Sequence, residues 1–325
     1  MKAIVCSRYG SPDLLELKEV EKPTPKDDEV LVEVHAASVN DYDWAMVTGK
    51  PRIYRLMFGL LKPKFGILGV DVAGRVAAIG ASVKDVRIGD EVYGDLSECG
   101  FGAFAEFVCA RERDVAQKPA GMSFAQAAAI PHAAMLAVQG LIDEGQIRAG
   151  QKILINGAGG GVGTFGVQIA KQFAVEVTGV DSTEKLETML SVGFDHVVDY
   201  TQEDFTRSGE CYDLILDTKT NRSPFDYARA LSPGGTYVTV GGALPRLLQA
   251  LLLGPWISRM RGKKIRIVAL KPNKDLDYAN ELFEAGTIKP VTDGPYALDE
   301  APEALRVFGE AKHEGKVIIV VAQEV

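Results

Sequence analysis

The run Ile153-Leu154-Ile155-Asn156-Gly157-Ala158-Gly159-Gly160-Gly161-Val162-Gly163 restricts what this chain can fold into more than any other stretch. An apolar strand enters a turn made almost wholly of glycine. Val162, Phe165, Ile169 and Phe173 then recur at helical spacing. Ala158, Gly160 and Gly163 fall on the three positions of a GxGxxG-type fingerprint, with Ala in the first. The missing side chains let the turn close, let a pyrophosphate reach backbone N–H groups and let the helix pack on its strand. This predicts a dinucleotide site built by Ala158, Gly159, Gly160, Gly161, Val162 and Gly163. The next strand ends at Val180-Asp181, and Asp181 lies 181 − 163 = 18 residues past the last glycine. That is near the spacing of about 20 expected for the acid that binds a ribose 2′-hydroxyl, and an acid there favours NAD over NADP. The competing reading of Asp181 is a helix N-cap for Ser182 onward.

Around this loop the pattern alternates between strand and helix. Lys152 to Asn156, Val175 to Val180, Leu214 to Leu216 and Thr236 to Val240 read as strands. Val162 to Phe173 and Thr183 to Leu190 read as helices. Such alternation builds a doubly wound parallel sheet with helices on both faces, an α/β Rossmann arrangement. From Met1 to about Ala120 the signal differs: short alternating runs such as Val30 to Val34 and Ala103 to Val108 are separated by Gly, Pro and Asp, which describes a mostly β domain. Ser123 to Gly145 turns helical, with Pro131 kinking one helix or separating two, so a boundary is expected near residue 123. Leu276 to Ala285 reads as a helix closed by Gly286, and Lys316 to Val321 as a strand. A chain of 325 residues has room for two such cores.

Composition removes several function classes. The formal charge of −8, with no long basic stretch, argues against nucleic acid. Cys6, Cys99, Cys109 and Cys211 lie far apart and read as reduced thiols, and the N-terminus lacks the apolar core of a signal peptide. A cytoplasmic location is the expectation. The most apolar stretch, Leu244 to Met260, is broken by Arg246, Gln249 and Gly254-Pro255, and is not expected to span a membrane.

Taken together with the glycine loop, Ala36-Ala37-Ser38-Val39-Asn40, Leu68 to Val76, Gly89 to Gly94, Ala230 to Gly235 and Gly315 to Ile319 make the chain resemble the medium-chain dehydrogenase/reductase superfamily, in its zinc-lacking quinone oxidoreductase-like branch. The resemblance runs nearly end to end. It implies a GroES-like catalytic domain over residues 1–123, completed by 290–325, a nucleotide-binding domain over 124–289, an active site in the cleft between them and a homodimer. Zinc-dependent relatives place Cys and His in the segments matching Asn40 and Val70, and four close cysteines in a structural lobe; none of these occurs here, so no metal is expected. Hydride transfer to a plain ketone needs help for the developing alkoxide, whereas a quinone or conjugated carbonyl compound spreads that charge itself. A small molecule of that electron-poor class is the expected substrate.

The resemblance also places Asn40, Tyr42 and Asp43 at the nicotinamide end of the cleft, Asn40 to orient the substrate and Tyr42 to donate a proton or hydrogen bond. A polar turn is the duller reading, as likely as function for Asp43. Tyr54, Met57, Phe58 and Leu60 could line a substrate pocket or only pack. Lys185 and Tyr200 match positions that contact the NADP 2′-phosphate in the quinone reductases, while Asp181 stands where those enzymes usually have a small or neutral residue. The conflict leaves NADPH slightly favoured and NADH open. Ser182, Gly241, Gly242 and Lys316 complete the expected cofactor set. Leu136 replaces a Thr that touches the nicotinamide amide in many relatives, and Lys219 stands where a small residue is commoner. An alternative function is a nucleotide-binding interaction protein docking through Leu247 to Ile257, whose flanks Arg246, Arg259, Arg261, Lys263 and Lys264 suit a membrane surface. Against it stands an apolar loop that roofs a pocket or joins subunits, so no membrane partner is expected.

Overall fold

The computed structural model describes residues 1–322, apart from the side chain of Met57. The chain divides into two compact units. The first comprises Met1–His132, Pro272–Glu284 and the segment from Pro290 onward, and the second Ala133–Lys271 with Ala285–Lys289.

In the second unit six parallel strands lie in the order His196–Asp199, Glu176–Asp181, Lys152–Asn156, Tyr212–Asp217, Leu231–Thr239, Lys264–Ile267. Ile153, Leu154 and Ile155 are all fully buried, as a central parallel strand with both faces covered requires. Succession runs outward from Lys152–Asn156 in one direction, then restarts beside it with Tyr212–Asp217 and runs the other way. The switch point therefore lies between the carboxyl ends of these two strands, at Asn156 and Asp217, where open α/β sheets bind ligands.

The first unit is built on a seven-stranded sheet around Glu29–Ser38, which pairs antiparallel with Asp71–Ile79, Phe107–Arg111 and the last strand, Lys316–Val320. Its inward residues Val30, Val32 and Val34 join Val72, Val92, Phe104 and Ile319 in one core. The last strand returns across the chain to set Ile318 opposite Ser38.

The division falls at His132/Ala133 and not at 123. Helix Phe124–Ala129 packs on Glu29–Ser38 and Asp71–Ile79. Residues 272–284 also belong to the first unit, tied by the Tyr93 hydroxyl to Asn280 Oδ1 at 2.5 Å and the Asp95 N–H to Asn273 Oδ1 at 2.7 Å. An Ala-rich pattern announces a helix but not the body it packs on. Pro131 separates two helices, opening Pro131–Val138. The segment expected to be an apolar loop is instead an 18-residue helix, Leu244–Arg261. No described helix is long and apolar enough to cross a membrane.

Candidate cofactor loop and catalytic cluster

In the second unit the glycine run does what its composition requires. Gly157 adopts φ +81°, and the N–H groups of Gly157 and Ala158 donate to Val180 O, stitching the turn to the neighbouring strand. Helix Gly161–Ala170 follows at once, so the first-turn N–H groups of Gly161, Val162 and Gly163 have no intrahelical acceptor. They form the cradle an anionic phosphate would occupy. A Cβ on Gly163 would lie 2.4 Å from Ala158 O, and one on Gly157 2.1 Å from Thr218 Oγ1. The loop closes only without them. The residues fit a dinucleotide's pyrophosphate.

Asp181 is buried and braces this loop: Oδ2 accepts from the Gly159 N–H at 2.9 Å, and Oδ1 from the Ser182 N–H at 2.9 Å. Lys185 is buried as well, its ammonium 4.0 Å from Asp181 Oδ1 and its stem lying over Gly159. The two residues that pull the sequence reading in opposite directions are thus one pair at one spot, neither of them a solvated surface charge. Tyr200 donates its N–H to Asp181 O and exposes its ring. Gly242, at φ +117°, lets its turn approach Lys219 O, where a Cβ would come within 2.0 Å, and Gly241 O accepts from the Thr220 and Thr239 hydroxyls.

Beneath these loops lies a group the sequence reading did not single out as functional. Asp217 is fully buried; Oδ1 accepts from Asn156 Nδ2 and from the N–H groups of Lys219 and Thr220, and Oδ2 from the Tyr237 hydroxyl at 2.7 Å. One carboxylate thereby ties three strand ends at the switch point. The burial that makes Asp217 so costly unless satisfied also fixes the loops above it.

The first unit holds a second buried polar cluster. The last residues of Glu29–Ser38 run into Asn40, which starts helix Asp41–Thr48. Asp43, in its first turn, accepts from the Asn40 N–H at 2.9 Å and from the Gly69 N–H at 2.8 Å. Burial pushes its carboxyl up to about 7, against these two donors. Asn40 is locked at both ends of its amide: Nδ2 donates to Asp71 Oδ2 at 3.0 Å, and Oδ1 accepts from Lys316 Nζ at 2.6 Å. Lys316 also donates to Val39 O and to Asp71 Oδ2, each at 3.2 Å, so its three protons have acceptors. Grouped with the cofactor residues from sequence, Lys316 is placed by the last strand beside Asn40, in the other unit.

His132 extends this cluster. Its N–H donates to Asp71 Oδ1 at 3.1 Å and its Nδ1 lies 2.8 Å from Asp95 Oδ2. Burial works against charging His132, but the bond to Asp95 and the charges of Asp95 and Asp71 outweigh it and leave the imidazole's pKa raised. Asp95, despite its own burial, is held lower by His132. The ring of Tyr42 meets His132 edge-on at 5.4 Å, with Phe58 and Phe101 as its other ring neighbours. Its hydroxyl has no hydrogen-bond partner among the described residues. Burial, then the charge of Asp95, raises its pKa, so the phenol keeps its proton. Tyr54 and Phe58 belong to this aromatic group, Leu60 is exposed, and the side chain of Met57 lies outside the described residues. A cavity of about 830 Å³ in the same unit, bordered by His35, Phe124 and Tyr296, includes none of these catalytic candidates.

The donor set does not fit zinc. Asn40 and Val70 stand at the segments where zinc-dependent relatives place ligands, Val70 is fully buried, and the oxygens of Asn40 and Asp71 hold an ammonium group.

Residues 26–120 match the family model described as alcohol dehydrogenase GroES-like domain, and residues 192–319 that described as zinc-binding dehydrogenase. Over 98% of its length the chain is 34% identical to 2-methylene-furan-3-one reductase of Solanum lycopersicum, covering 79% of that protein. It is 33% identical to the chloroplastic NADPH-dependent alkenal/one oxidoreductase of Arabidopsis thaliana, with 98% and 79% of the two chains covered. Among solved structures, the quinone oxidoreductase from Coxiella burnetii superposes with a TM-score of 0.87 at 26% identity, covering 99% of both chains. By these matches, which extend across both units, the chain belongs to the medium-chain dehydrogenase/reductase superfamily, in its zinc-independent, quinone oxidoreductase-like branch.

Proposed function

We propose that this protein is an NADPH-dependent reductase of quinones or α,β-unsaturated carbonyl compounds. The observation that carries the reading is the cradle at the switch point, where Gly157 and Gly163 leave no room for a Cβ and the first-turn N–H groups stand ready for a pyrophosphate. Ala158 to Gly163 would hold that group, with Gly241 and Gly242 leaving backbone room further along the sheet edge. The bound dinucleotide supplies a hydride. The chain supplies the rest.

Tyr42 donates a hydrogen bond or a proton to the reduced substrate's oxygen or carbon, which its raised pKa keeps available at neutral pH. Asn40 acts by position: with both amide ends engaged it fixes the start of helix Asp41–Thr48, and so the placing of Tyr42. Conjugation in the acceptor spreads the developing charge, so hydrogen-bond donors suffice where a ketone would call for a Lewis acid. The preference for NADPH is supported by the alkenal/one oxidoreductase named above and by the cation Lys185 beside the loop; Asp181, occupied by two backbone N–H groups, offers a 2′-phosphate less repulsion than a free carboxylate would. We place the enzyme in the cytoplasm as a homodimer.

The test is oxidation of NADPH and, separately, NADH, followed at the reduced-nicotinamide band with a quinone and an enal, before and after chelation. Turnover is expected with both acceptors, faster with NADPH and unchanged by chelator. Binding of a cofactor without turnover on any acceptor would reject the reading.

A further inference from the structure

Among the buried charges of the first unit, His132 has one edge left open. Its backbone N–H donates to Asp71 Oδ1 and its Nδ1 lies 2.8 Å from Asp95 Oδ2. Asp95 is fully enclosed and held in its ionised form by His132, and a carboxylate can only accept, so the ring proton on that side stays on Nδ1. The proton that His132 gains and loses is therefore the one on Nε2. That atom has no hydrogen-bond partner among the described residues and is not sealed off: the side chain of His132 is 10% exposed, that of Asp95 not at all. The ring of Tyr42 stands edge-on to the same imidazole.

Charge balance favours the protonated ring. Asp71 has Lys316 as its cation at 3.2 Å, whereas Asp95 has only His132 among the described residues. Burial opposes a charge on the imidazole; the bond to Asp95 and the charges of Asp95 and Asp71 outweigh it, and Lys316 takes back only part. Tyr42 is the other donor at this spot. Burial and then the charge of Asp95 make its phenol a poor source of a proton at neutral pH, because giving it up would set a phenolate beside Asp95. The geometry points to a division of labour that rests on the reductase function proposed above: His132 is the general acid, through Nε2, and Tyr42 holds the acceptor's oxygen by a hydrogen bond. As hydride from the reduced nicotinamide joins the β-carbon of an enal, the π electrons shift onto the carbonyl oxygen, which takes the Nε2 proton. The products are the oxidised nicotinamide, an enol that tautomerises to the saturated carbonyl compound, and a neutral imidazole that regains its proton from water. A quinone becomes the hydroquinone by the same transfer of one hydride and one proton.

The enzyme and its His132→Asn and Asp95→Asn variants are assayed with NADPH and an enal from about pH 5 to about pH 10, across the imidazole range. Asn at position 132 keeps an N–H for Asp95 and lacks the Nε2 proton. Wild-type kcat is expected to fall about tenfold per pH unit once the imidazolium deprotonates. His132→Asn should lower kcat at neutral pH about 10²-fold and flatten that fall, with KM and the Kd for NADPH kept within a few-fold. Asp95→Asn removes the carboxylate that favours the imidazolium and should move the fall to lower pH by at least about one unit. Wild-type kcat or pH profile retained in His132→Asn would overturn the assignment and return the proton to Tyr42. So would a fall left unmoved in Asp95→Asn, or a wild-type kcat that stays level up to the tyrosine range. A wild type that binds NADPH but turns over no acceptor would overturn it as well, by removing the reductase function beneath it.

Discussion

Asp43 concentrates what a single residue does here. Its carboxyl is fully buried and pushed up to about 7, whereas in the unfolded chain it titrates near 3.9. Between those pH values the folded chain holds a proton the unfolded chain has lost, so this residue's contribution to stability falls as pH rises through the interval. Asp43→Asn removes that term. Its stability relative to wild type should improve by up to about 4 kcal/mol between pH 4 and pH 7, on a background cost for the lost Gly69 or Asn40 bond. Denaturant melts at both pH values check this, and a pH-independent difference would reject it. The role proposed for Tyr42 bears on chemistry and not on stability: Tyr42→Phe should lower kcat about 10²-fold with little change in Tm. A Tm loss of many degrees would instead mark Tyr42 as a packing residue. Asn40, Tyr42 and Asp43 could be named as candidates from the family resemblance because they stand together in one segment. Asp71, Asp95 and His132 were not, since no periodicity tells that residues from three distant segments will share one buried cluster.

At the scale of elements, the strand, turn and helix around Gly157 were readable because glycine has a local reason to be there. The structure sharpens this into a ranking of the glycines. A Cβ on Gly163 would meet backbone, Ala158 O at 2.4 Å and its Cα at 2.5 Å, and neither can move without opening the turn. A Cβ on Gly159 would meet side-chain atoms only, Lys185 Cδ at 2.7 Å and Cβ at 2.8 Å, so a shift of that one residue would relieve it. Gly163→Ala should therefore raise the Kd for NADPH by about two orders of magnitude, and Gly159→Ala by no more than about tenfold, by fluorescence titration. Equal losses would mean that Lys185 is as fixed as the backbone. Helix Leu244–Arg261 was misread for the opposite reason: Gly254 and Pro255, residues that ordinarily break a helix, stand inside it, and Arg246 and Gln249 interrupt its apolar run. Asp217 escaped for a third reason. A buried carboxylate is recognised by the donors around it, and those come from two neighbouring strands and the loop that follows its own.

For the whole molecule the consequence lies in how the chain is threaded. The second unit draws all six strands of its sheet from Ala133–Lys271, a continuous stretch, while the first unit begins at Met1 and is finished by the last strand. Ending the chain at Gly315 removes Val317, Ile318 and Ile319, all buried in the first unit, and strips the partner from Ala36 to Ser38. At roughly 1.5–3 kcal/mol for each buried side chain, the loss reaches the order of a domain's entire stability. Removal of Lys316 adds to it, because Asp71 then keeps a buried charge without its cation. The truncated protein should thus lose the first unit and keep the second. Limited proteolysis read by mass spectrometry should place early cleavages within residues 1–132, while NADPH still binds to the glycine loop with a Kd within a few-fold of the full chain. Cleavage spread evenly over both units, with cofactor binding abolished, would mean that the two cores fold as one cooperative body and that the return of the last strand sustains the cofactor site as well as the catalytic cluster.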